Sequence, residues 1–129
     1  MSRFLLAVSL VATAALLQAC NGDCSALREE ASALRAEAAA CEPGDTCVLV
    51  DMYEMAGENN CLLAFQCTHA LNAAADLDSF KTRARTIAED FESCDECTMA
   101  SCFDPSTLVP RCDEATRRCV ADYVEPTNG

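Results

Sequence analysis

The chain has 129 residues, of which 11 are Cys, 21 are Asp or Glu and 9 are Lys or Arg, for a formal net charge of −12. The length suits one modest domain and excludes multidomain machinery. The acidic balance excludes nucleic acid as a partner, since no basic patch is present to neutralise phosphates. With aromatics at 5 % and no Trp, large anchors for a deep core are few.

Residues 1–19 read as an export signal. Arg3 is their only charge, and the apolar run from Phe4 to Leu17 is shorter than the roughly 20 residues of a spanning helix. The run ends in Leu17-Gln18-Ala19-Cys20, which resembles the lipobox of bacterial lipoproteins. The resemblance implies that the Cys20 thiol carries a diacylglycerol and that cleavage follows Ala19. The new amine then receives a further fatty acyl chain such as palmitate. Several chains together anchor durably where one binds only marginally. Asn21 follows the lipid cysteine where an Asp would favour the inner membrane, so the expected address is the cell envelope, with the outer membrane ahead of the inner. Either face of that membrane remains open.

Cysteine parity agrees. Assigning Cys20 to the lipid leaves Cys24, Cys41, Cys47, Cys61, Cys67, Cys94, Cys97, Cys102, Cys112 and Cys119, an even set suited to five disulfides. Exported chains meet an oxidising compartment where such bridges persist. After cleavage 8 basic residues face 21 acidic ones, a net of −13. A domain this small buries little apolar surface, and disulfides are the usual remedy.

Residues 20–23 form a short lipid-attachment tether, residues 24–122 a single stapled domain, and residues 123–129 a frayed tail. The spacing of Cys24, Leu27, Ala31, Leu34, Ala38 and Cys41 predicts an amphipathic helix, with Asp23 or Ser25 as its cap and Glu42-Pro43-Gly44-Asp45 as its end. Along a continuous helix Cys24 and Cys41 lie roughly 25 Å apart and cannot bond each other. Leu77, Phe80, Ala84, Ile87 and Phe91 predict a second helix, capped by Asp76 or Asp78. Its bulky stripe suits the Ala-rich stripe of the first, so the two are expected to pack together. An antiparallel pair brings Cys24 near the Cys94–Cys97 region and Cys41 near Cys67, whereas a parallel pair brings Cys24 toward Cys67.

Between the helices, the β-prone run from Cys47 to Tyr53 and that from Cys61 to Phe65 read as a hairpin across the turn-rich EMAGENN. The tail LVPRC-DEATRR-CVADY reads as another. The expected fold is therefore α+β: a small disulfide-rich domain of two amphipathic helices packed with short β-hairpins.

Chemistry is sparsely signalled. Cys94-Asp95-Glu96-Cys97 invites a redox or metal reading, but two acids between the thiols disfavour a thiolate, and the motif follows a helix instead of opening one. Structural bridging is expected instead, and no metal is assigned. His69 is the sole histidine; pairing it with Cys67 as base and nucleophile would require a free thiol. Asp51, Glu54, Glu58, Asn59 and Asn60 cluster around the expected turn without the alternating spacing of a calcium loop, and read as a solvated acidic loop. No catalytic residues and no cofactor beyond the covalent lipid on Cys20 are assigned.

The stretch from Cys41 to Cys119 contains C-EPGD-T-C-VLV, the N-AAADL run beginning at Asn72, C-DE-C and the closing C-DEATRR-C. It resembles a framework found in cysteine-rich lipoproteins of myxobacteria and related deltaproteobacteria. That resemblance brings no assigned activity, but implies envelope roles such as surface contact or gliding-type motility accessories. The leading expectation is a non-enzymatic, lipid-anchored envelope protein that binds another envelope protein or supports an assembly, held to the membrane through its anchor. The alternative is a small secreted inhibitor or toxin-like ligand presenting the disulfide-bounded loop of Asp113, Glu114, Arg117 and Arg118. A thiol oxidoreductase stands third.

Overall fold

The computed structural model describes residues 23–127; the leader, the lipobox and Cys20 lie outside the described residues. Among the described residues no helix is long and apolar enough to cross a membrane.

The first element is the helix α1, Asp23–Ala39, which buries Ala31, Leu34, Ala38 and Ala39 and half-buries Cys24 and Leu27. Its expected stripe is thus the buried one. The chain leaves it through Glu42-Pro43-Gly44-Asp45, where Gly44 takes φ +96°, a conformation that suits glycine. There the Asp45 carboxylate accepts from the Glu42 amide at 2.8 Å.

Strand β1, Cys47–Asp51, pairs antiparallel with β2, Thr68–Asn72, Cys47 lying opposite Asn72 and Asp51 opposite Thr68. This corrects the expected hairpin: the partner of β1 is Thr68–Asn72, not the run from Cys61 to Phe65. The intervening residues are differently employed. Met52–Ala56 form the short helix α2, capped by the Asp51 carboxylate, which accepts from the Tyr53 amide at 2.9 Å. Leu63–Phe65 make a 3₁₀ turn that drives Phe65 fully into the core. The apolarity of that run comes from burial inside a loop, a pattern that a short β-prone strand imitates.

Helix α3, Leu77–Phe91, starts on the Asp76 carboxylate, which accepts from the Ser79 amide at 3.0 Å. It buries Phe80, Ala84, Ile87, Ala88 and Phe91. Helices α1 and α3 pack against each other and run antiparallel. The Cys24–Cys94 bridge ties the start of α1 to the residues just past α3, while Arg83 reaches Glu37 at 3.7 Å near the other end. Small residues of α1 facing large ones of α3 let the helices approach closely.

Residues 92–104 contain no helix or strand. Beyond them β3, Leu108–Asp113, and β4, Arg118–Tyr123, form the expected terminal hairpin, with Cys112 opposite Cys119. The expected domain limit at residue 122 falls inside β4: Tyr123 pairs with Leu108, and the Val124 amide donates to the Thr107 carbonyl at 2.7 Å. The two hairpins pack on each other. The molecule is a small α+β domain with five disulfides, the class the sequence implies.

Candidate functional site

All ten cysteines from Cys24 to Cys119 are bridged among themselves, as Cys24–Cys94, Cys41–Cys112, Cys47–Cys119, Cys61–Cys97 and Cys67–Cys102. The antiparallel expectation holds for Cys24. It fails for Cys41, which the Ala40–Arg118 bridge and a 3.0 Å bond from its own amide to the Arg117 carbonyl carry to the terminal hairpin instead of to Cys67. Cys94 and Cys97 go to different partners, so the CxxC spacing joins two separate staples. The sulfur atoms of Cys41, Cys47 and Cys119 lie within 4.8 Å of one another, but they belong to two adjacent disulfides and offer no thiolate to a metal.

In the acidic turn Glu54, Glu58 and Asn59 are exposed, while two residues serve the fold. Asp51 caps α2, and Asn60 points inward. The Asn60 amide nitrogen donates to the carbonyls of Gly57 at 2.7 Å and Phe65 at 2.9 Å, while its oxygen accepts from the Leu62 amide at 3.1 Å.

The loop of Asp113, Glu114, Arg117 and Arg118 is exposed from Glu114 to Arg118 but tied to the body at its ends. Asp113 accepts from the Thr116 hydroxyl at 2.7 Å and from Arg111 at 3.2 Å, and both bonds hold its carboxyl below the usual carboxylate range. Arg117 adopts a left-handed φ of 55°, and its guanidinium is bonded to Glu42. Arg118 faces a cavity instead.

That cavity, of about 1050 Å³, opens between α1, β2, β4 and residues 100–103. It has the size of a small-molecule site. Arg35 enters from α1 beside the buried Leu34, His69 from β2 and Arg118 from the start of β4. Leu63 and Phe103, 54 % and 63 % exposed, form apolar parts of the wall and rim, and the Phe103 ring lies against Tyr123 at 5.1 Å. Among the described residues no Asp or Glu lines the cavity. In a chain with more than twice as many acids as bases, this is a local reversal of charge.

Its electrostatics follow from those positions. An Arg35 nitrogen (Nη1) lies 3.3 Å from His69 Nε2 and 3.4 Å from the Ala64 carbonyl. A guanidinium only donates, so Nε2 accepts and the imidazole is neutral in this arrangement. Burial and the Arg35 charge push His69 below its ordinary range, against a hydrogen bond to the Gln66 backbone that raises it. Burial and the charge of Arg118 lower Arg35 as well, without threatening its protonation. Of the other basic side chains, Arg28, Arg83, Arg111 and Arg117 meet carboxylates, and Arg85 donates to the carbonyls of Met55 and Glu54. Arg35 and Arg118 have no carboxylate partner among the described residues.

Sequence reasoning placed Arg118 on an outward loop and passed over Arg35. A signal existed, since Arg28 and Arg35 stand seven apart, each directly after a leucine of the buried stripe. Arg28 accordingly lies over the Phe91 ring at 5.4 Å and pairs with Glu96, while Arg35 turns to the cavity. No protein-family model matches the chain, and no curated protein or solved structure matches it either.

Proposed function

We propose that the chain is a lipid-anchored protein of the bacterial cell envelope, tethered through Cys20, that works as a non-enzymatic binding or assembly-support module. The observation that carries this reading is the closed pairing of the ten cysteines from Cys24 to Cys119. Because these ten account for one another, the pairing suits a Cys20 reserved for the lipid that the Leu17-Gln18-Ala19-Cys20 sequence signals. Bridging also suits an oxidising compartment. It leaves the region after Cys20 without the thiolate that disulfide exchange or nucleophilic catalysis by cysteine requires. A rigid body carrying one charge-reversed cavity is suited to holding a partner or ligand.

The test is fractionation of the full chain expressed in a bacterial host with its own leader. The wild type is expected in the membrane fraction, and its tryptic peptide from Cys20 to Arg28 should carry the mass of a diacylglyceryl cysteine. Cys20→Ala should abolish both the modification and the cleavage after Ala19. A Cys20→Ala chain that is still cut there and still sediments with membranes would overturn the anchor.

A further inference from the structure

Two guanidinium groups share one recess in a protein that has acids to spare. Arg35 and Arg118 repel each other across it, and burial of Arg35 strips away part of the water that would dampen that repulsion. Arg28, Arg83, Arg111 and Arg117 each meet a carboxylate and Arg85 is held by two carbonyls. The two arginines of the recess have between them one carbonyl, of Ala64 at 3.4 Å, and no carboxylate among the described residues, so their charge is less compensated. A bound anion supplies what is missing, because guanidinium forks match the paired oxygens of carboxylate and phosphate. The remaining lining is different in kind. Leu63 and Phe103 offer apolar surface beside the charges, and the volume exceeds what an inorganic ion needs.

We propose that this cavity is a binding site for a small organic anion with a single oxyanion head on an apolar body, the head held by Arg35 and Arg118 and the body by Leu63 and Phe103. The inference deepens the binding-module reading and is independent of the anchor. His69 completes the head site. While neutral it accepts from Arg35 at Nε2; beside an anion protonation at Nε2 is favoured, which ends that contact and adds a third donor. The −13 of the processed chain does not oppose this at short range, since charges beyond about 8 Å are largely screened at physiological salt. It does oppose approach to a flat anionic membrane, and so favours a free amphiphile over a headgroup within a bilayer.

Calorimetric titration of the full chain, bridges formed and held in neutral-lipid nanodiscs, tests the site with octanoate, octyl phosphate, octanol and acetate, against empty nanodiscs as blanks. Octanoate and octyl phosphate should bind at one saturable site, with octanol and acetate each weaker by about tenfold or more. Arg118→Gln and Arg35→Gln should each weaken the two octyl anions about tenfold and leave octanol unchanged. Arg118 lies at an exposed strand end, so its variant remains informative even if Arg35→Gln disturbs α1. The tighter of the two heads identifies the oxyanion class. Sedimentation of the same chains with phosphatidylglycerol vesicles separates the sources: uptake that depends on Arg118 puts the head on a lipid. Octanol binding as tightly as octanoate, or anion binding unaffected by Arg118→Gln in a folded chain, would overturn the proposal. The Cys20→Ala chain should bind octanoate as the wild type does, so loss of the anchor and loss of the site are read separately.

Discussion

Helix α3 and the residues that follow it are neighbours in sequence held in place by opposite means. Along α3, Phe80, Ala84, Ile87, Ala88 and Phe91 are buried, and Phe80 meets Phe65 edge-on with ring centroids 6.0 Å apart. Across residues 92–104 nothing is fully buried and no regular element forms. That stretch is held by three bridges, from Cys94 to Cys24, Cys97 to Cys61 and Cys102 to Cys67. Gln66 adds noncovalent support: its fully buried amide donates to the Thr98 carbonyl at 2.9 Å and accepts from the Ala100 amide at 2.7 Å. One region is stabilised by solvent exclusion in the folded state. The other relies on restricting the unfolded chain.

The largest way to break the contrast is reduction. A native bridge is worth about 2–5 kcal/mol, and a small domain has a net stability of only about 5–15 kcal/mol. Cleaving all five should unfold the packed half together with the stapled half. Without a reductant, iodoacetamide in denaturant should label no cysteine from Cys24 to Cys119; after reduction it should label all ten, and circular dichroism should report loss of helical structure, α1 and α3 included. Two or more labelled thiols in the unreduced chain, or retained helicity after complete reduction, would refute the dependence on staples.

Next in size is the packed half alone. Phe80→Ala removes a ring buried to 3 % exposure and should cost about 3–5 kcal/mol in denaturant unfolding. Bridge connectivity should be unchanged, because no cysteine depends on that side chain. A loss below about 1 kcal/mol would mean that α3 too is held mainly by its bridge, since truncating a buried large side chain normally costs several times that.

The same division explains what could be read from the sequence. The stripes of α1 and α3 were legible because large apolar residues recur at helical spacing and solvent exclusion acts on that spacing directly. The terminal hairpin was legible from strand residues around a polar turn. The partner of β1 was not, because Thr68–Asn72 is short and half polar, with Ala70 and Leu71 as its buried residues. The bridges were countable but not assignable beyond Cys24, since their pairing is set by how α1 delivers Cys41 to the last hairpin, a contact far apart in sequence. The cavity was least legible. Arg35 and Arg118 lie 83 positions apart, and nothing local marks two arginines as sharing a recess. Gln66 and Asn60 were invisible for a related reason, their amides being satisfied by backbone groups that only the fold brings near.

A smaller effect sharpens the stapled side. Gln66→Ala leaves the Thr98 carbonyl and the Ala100 and Asn60 backbone groups without their partner, at a cost of about 1–3 kcal/mol. Hydrogen exchange should quicken from residue 98 to residue 100 while the amides of α3 keep their protection. Uniform acceleration through α3 would show that the two halves open as one unit.

The smallest expected effect is read at His69, where the stapled stretch meets α1, β2 and β4 across the cavity. Its surroundings are Arg35 from α1, Arg118 from β4 and residues 100–103 from the stapled stretch, with no acid in the lining among the described residues. Burial first, then the Arg35 charge, lower its pKa below the ordinary value, which the unfolded chain retains. Between those two values the unfolded state binds more protons than the native one, so stability falls as pH drops through the ordinary histidine range and levels off below the native pKa. His69→Gln keeps an acceptor for Arg35 but does not titrate, and should remove that part of the pH dependence. The stapled stretch contributes to the burial, so replacing Cys67 and Cys102 together by Ala should let water reach the ring and move its NMR titration back up toward the ordinary value. An unchanged titration in the double variant would locate the whole shift in the packed half, with the stretch contributing nothing to the cavity.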